Sequence, residues 1–132
     1  MFRSNKTRFF ALSAAGLTAV AATTTGVALA AADNVSAPYV QAGATVNSAG
    51  SAENTKGVES TERARTGIYC VTFKDTNLDV TKAIPSATSL STLHTVHVSR
   101  TNSNCPGANT LAVITRNFSG GLANAGFSVA IH

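Results

Sequence analysis

A period-two alternation of apolar and polar residues, returning in short bursts between turn-forming residues, is the feature that most constrains this chain. In Ile68-Tyr69-Cys70-Val71-Thr72-Phe73 the large residues Tyr69, Val71 and Phe73 fall on one side, and Ile68, Cys70 and Thr72 on the other. A strand sends successive side chains to opposite faces, so this spacing predicts a strand. Gly67 precedes the run and Lys74-Asp75-Thr76-Asn77 closes it with turn residues. Val40, Ala42, Ala44 and Val46 alternate in the same way ahead of Asn47-Ser48-Ala49-Gly50. So do His94, Val96 and Val98 within Leu93 to Arg100, the run Leu111 to Asn117, and Phe127, Val129 and Ile131 at the C-terminus. Lys82 to Thr88 is a weaker strand, and Pro85 within it lacks a ladder donor and favours a sheet edge. The stretch Ser51 to Thr66 is open between a strand over Val58 to Thr61 and a short helix over Ser60 to Arg65. Six to seven short antiparallel strands, punctuated by Asn, Gly and Ser, predict an all-β domain, a small sandwich or barrel.

The first thirty residues follow a different logic. Arg3, Lys6 and Arg8 open the chain, no acidic residue occurs before Asp33, and an apolar run extends from Phe9 to Ala22. The segment closes on Ala28-Leu29-Ala30, a small-x-small exit. A basic head, an apolar middle and a small-residue exit describe a secretory signal peptide. Cleavage is expected after Ala30, with Ala32 as the next choice. The run is mostly alanine and is interrupted by Gly16, Thr18 and Thr23-Thr24-Thr25, whereas a membrane span needs roughly 20 strongly apolar residues. No membrane span is therefore expected after processing. The organisation predicted is a signal peptide over 1–30, a flexible segment over 31–38 and a single β domain over 39–132.

Processing changes the charge and sets the redox setting. The full chain carries a formal net charge of +4, but three of its ten Lys and Arg residues lie in the leader while all six acidic residues lie beyond it. The processed chain is therefore nearly neutral, without the clustered basic surface that nucleic-acid binding requires. An exported chain meets an oxidising compartment, where an even cysteine count argues for pairing. Cys70 and Cys105 are the only cysteines, so a single bond is predicted, tying the clearest strand to the Asn-rich loop Thr101 to Asn109.

Together, Gly67-Ile68-Tyr69-Cys70-Val71-Thr72-Phe73, Asn104-Cys105-Pro106, Val113-Ile114-Thr115 and Ala125-Gly126-Phe127-Ser128-Val129 resemble a group of small secreted actinobacterial β proteins of unknown function. In that group a signal peptide precedes a G-x-Y-x-V-x-F strand, a Cys-Pro loop and a terminal Phe-Ser strand. The resemblance spans most of residues 39–131 and implies the fold, secretion and the disulfide. It carries no catalytic residue across, and the ending Ala130-Ile131-His132 is less bulky than the group's pattern.

Chemistry-bearing patterns are sparse. His94 and His97 form an H-x-x-H pair, but on a strand an offset of three sends the two rings to opposite faces. Asp75-Thr76-Asn77-Leu78-Asp79 has the alternating oxygens of a calcium loop without its central glycine or distal glutamate. There is no G-x-S-x-G elbow. The sequons at Asn34 and Asn117 matter only in a glycosylating export route, and the leader has a bacterial character. No metal or cofactor is expected, and catalysis is the least favoured reading. The leading expectation is an extracellular binding or surface-interaction module. Its Asn-rich loop, with Asn102, Asn104 and Asn109, would hydrogen-bond to a glycan or a protein partner. The alternative is a structural protein whose edge strands pair between copies into a homo-oligomer.

Overall fold

A computed structural model describes residues 27–29 and 37–132 of the protein. The expected leader lies outside this range except for Val27–Leu29, and the expected flexible segment except for residues 37 and 38. The described residues form nine strands and no helix: β1 (Val27–Leu29), β2 (Ala42–Val46), β3 (Ala52–Lys56), β4 (Val58–Arg65), β5 (Ile68–Phe73), β6 (Pro85–Ser89), β7 (His94–Ser99), β8 (Thr110–Asn117) and β9 (Phe127–Ile131). They assemble into two sheets of order β1-β4-β5-β8-β7 and β3-β2-β9-β6, antiparallel throughout. The architecture is an all-β sandwich.

Eight strands lie within 39–132, one or two more than the sequence suggested. The difference arises in Ser51 to Thr66, which forms β3 and β4 rather than a helix. Thr55, Val58 and Thr61 are buried there, β-branched residues that suit a pleated surface. Gly57 joins the two strands at φ +63°, a left-handed conformation that carries the chain from one sheet to the other. A Cβ at Gly57 would come within 3.2 Å of the Ala42 side chain. The Thr61 hydroxyl then donates to the Gly50 carbonyl at 2.8 Å, tying β4 to the turn between β2 and β3.

The main core lies between the sheets and draws wholly on residues 42–131. Tyr69, Val71 and Phe73 of β5 and Leu111 and Val113 of β8 meet Val46, Phe127, Val129 and Ile131 from the opposite sheet. Burial of this kind contributes about 1.5–3 kcal/mol per large side chain. Tyr69 and Phe127 pack edge to face, with ring centres 5.1 Å apart and planes at 63°. Leu78 and Val80, from the irregular segment between β5 and β6, are also buried in this core. Pro85 opens β6, which is an edge strand, as its missing donor requires.

Candidate functional site

The predicted disulfide is present: Cys70 and Cys105 are joined, with Cα atoms 5.3 Å apart, across 35 residues of sequence. It places the loop after β7 on the outer face of β5. There Ile68, Cys70, Cys105 and Ala112 form a second small apolar cluster, with Leu122 packed against it.

The three asparagines expected to reach a ligand also build this loop. The Asn102 side-chain oxygen accepts from the Asn104 backbone N–H and side-chain amide, both at 2.9 Å. Asn109 donates its amide to the Phe73 carbonyl at 2.8 Å. Each of the three therefore spends at least one polar group on internal structure, which fits the habit of Asn to stabilise turns.

The two histidines of the H-x-x-H pair take opposite faces of β7. His94 is half-buried and shares a 2.8 Å hydrogen bond with the Ser91 hydroxyl, while His97 is exposed. Asp75 and Asp79 each organise their own turn. Asp75 accepts from the Asn77 N–H, and Asp79 accepts from the Thr81 N–H and hydroxyl, the latter at 2.6 Å. The Thr81 hydrogen bonds hold the Asp79 carboxyl below the usual carboxylate range, with Lys82 at 3.5 Å adding to the effect. Inside the core, burial pushes the Tyr69 phenol up. Its hydroxyl donates to the Ser48 carbonyl at 2.9 Å and accepts from the Ala125 N–H at 3.2 Å.

The surface that sequence reasoning passed over is the outer face of the β3-β2-β9-β6 sheet. Strand register sets Asn54, Thr45, Ser128 and Thr88 in one row across the four strands, and Lys56, Gly43, Ala130 and Ser86 in the next. Neighbouring strands lie about 4.8 Å apart, so the first row is an array of hydroxyl and amide groups at near-regular spacing. On this outer face the two middle strands carry no bulky side chain, and a Cβ at Gly43 would sit 2.7 Å from the Val129 carbonyl oxygen. The result is a shallow groove of about 140 Å³ over Gly43, Thr45, Asn54, Ser128 and Ala130. Ala37 and Val40 form its wall, and Lys56 holds that wall by donating to the Ala37 and Val40 carbonyls at 2.7 and 2.6 Å.

Val40 lines this groove, and the adjacent Gln41 lines a broader polar depression of about 350 Å³ with Asp75, Asn77, Asp79, Lys82 and His132. Tyr39, which directly precedes Val40, is 92% exposed. A signal for this face exists in the sequence: the polar positions of β2 and β9 carry only Gly43, Thr45, Ser128 and Ala130. Comparison with known families, curated proteins and solved structures returns no match for this chain.

Proposed function

We propose that this protein is a secreted, disulfide-stapled binding module that holds an extracellular glycan without turning it over. The observation that carries the reading is the groove on the outer β3-β2-β9-β6 face, whose Val40 wall is followed in the chain by Gln41 of a separate polar depression. Hydroxyl and amide groups in a row suit the hydroxyls of a sugar chain, and a floor of Gly43 and Ala130 lets an extended polymer lie close to the backbone. Tyr39 stands beside this path as an exposed stacking surface. The Cys70–Cys105 bond and the absence, among the described residues, of a helix long and apolar enough to cross a membrane are compatible with an extracellular protein.

The test is a pull-down of the oxidised domain against insoluble cell-wall and environmental polysaccharides. Saturable retention on one polymer that falls with Tyr39→Ala and Thr45→Ala supports the reading. Retention that survives both but is lost with Asn104→Ala moves the site to the disulfide loop. No retention on any polymer removes the glycan and leaves a protein partner.

A further inference from the structure

Four connections gather at one end of the sandwich, residues 47–51, 66–67, 90–93 and 118–126, and none of them contains a charged side chain. Yet this end carries Leu90, Leu93 and Phe118, which are 57%, 61% and 71% exposed. Strand register brings them together. His94 pairs with Asn117 at the end of the β7–β8 ladder, so Leu93 and Phe118 follow on facing strands. Leu90 shares its short connection with Leu93. Phe118 stands on a built turn. The Asn117 carbonyl accepts from the Gly120 N–H and its side-chain oxygen from the Gly121 N–H, both at 3.0 Å. The turn projects into open space, since a Cβ at Gly120 would meet nothing within 4 Å.

Arginines border these apolar side chains. Arg63 donates to the Ser48 carbonyl at 3.2 Å, Arg116 donates to the Gly120 carbonyl at 2.7 Å, and exposed Arg65 ends β4 beside the 66–67 turn. A guanidinium bonded to a neutral carbonyl keeps its charge and its remaining donors. Among the described carboxylates, Glu53 and Glu62 lie within β3 and β4, and Glu59, Asp75 and Asp79 lie toward the opposite end. That opposite end sets Lys74, Asp75, Asp79 and Lys82 ahead of its own exposed Ile84, so it mixes both signs. We infer that the arginine-bordered end docks on a lipid bilayer bearing anionic headgroups. Leu90, Leu93 and Phe118 enter the acyl boundary, while Arg63, Arg65 and Arg116 meet the headgroups. A second copy meeting tip to tip would set these arginines against their own kind. A soluble polyanion would match the arginines but leave the three apolar side chains in water. The surface is distinct from the groove, and the inference does not depend on the glycan reading.

The test is cosedimentation of the exported, disulfide-bonded protein with vesicles of mixed phosphatidylglycerol and phosphatidylcholine, and with vesicles of phosphatidylcholine alone. Binding is expected on the mixed vesicles, weaker on the neutral ones, and falling as salt is added. Phe118→Ala is expected to weaken it about tenfold or more and Arg65→Gln about fivefold, while Ile84→Ala at the opposite end leaves it unchanged. The chain contains no tryptophan, so Phe118→Trp places a single indole at the tip. Its emission is expected to shift to the blue on the mixed vesicles. Absence of cosedimentation, equal binding to both kinds of vesicle, or binding that Phe118→Ala leaves intact overturns the inference. So does an indole emission that the vesicles do not move. A lipid-free dimer that Phe118→Ala dissociates also overturns it, by making a second copy the occupant.

Discussion

The two sheets present similar inner faces to one core but treat their outer faces differently. On β5 and β8 the outward residues Ile68, Cys70 and Ala112 are buried beneath Cys105, with Leu122 alongside. On β2 and β9 the outward residues Gly43, Thr45, Ser128 and Ala130 stay at the surface and floor a groove. The contrast is written into the strands. A strand covered on both sides reads as a nearly continuous apolar run, as in β5 with five of its six residues buried. A strand covered on one side alternates, as in β2 and β9, where buried and half-buried positions strictly interchange. The covered face adds buried apolar surface to the fold, and the bare face is the one on which the proposed ligand would lie.

This contrast can be broken first at the shared core. Phe127→Ala removes a ring with no exposure and its packing on Tyr69, and is expected to cost about 3–5 kcal/mol by chemical denaturation. Removing the cover of the β5 face by Cys70→Ser with Cys105→Ser is expected to cost about 3–4 kcal/mol, from the loop of 35 residues that it reopens. If the covered face is a stability device only, the same double change leaves polymer retention per folded molecule unaltered.

Tyr69→Phe leaves the Ser48 carbonyl and the Ala125 N–H without their partner and is expected to cost about 1–3 kcal/mol. The same residue gives the fold a pH dependence. Because burial raises the phenol above the ordinary tyrosine value of 10.0, its contribution is complete below that pH and is lost as pH climbs through the higher folded value. Alkaline unfolding monitored by circular dichroism should therefore flatten in Tyr69→Phe. Thr45→Ala and Ser128→Ala, on the bare face, are expected to change stability by no more than about 0.5 kcal/mol while reducing retention on the polymer. The smallest effect is at Asp79. Its carboxyl should titrate below the ordinary aspartate value by nuclear magnetic resonance, and Thr81→Ala should move it back up.

Sequence alone determined the all-β class, the edge position of the strand opened by Pro85, the single disulfide and the separation of His94 from His97. Each follows from local chemistry: strand period, a missing donor, a cysteine count and the parity of an offset. Tertiary structure decided the rest. The strands β3 and β4 were not legible because their burial comes from partners distant in sequence, and their shared corner depends on one glycine held at positive φ against Ala42. The groove was hidden for the same reason, since its rows run across four strands whose register the chain order does not reveal. The asparagines of the 101–109 loop show the converse. Composition marks them as polar, but only the folded loop reveals how much of that polarity it uses to hold itself in place, because a hydrogen bond is set by geometry and not by residue type.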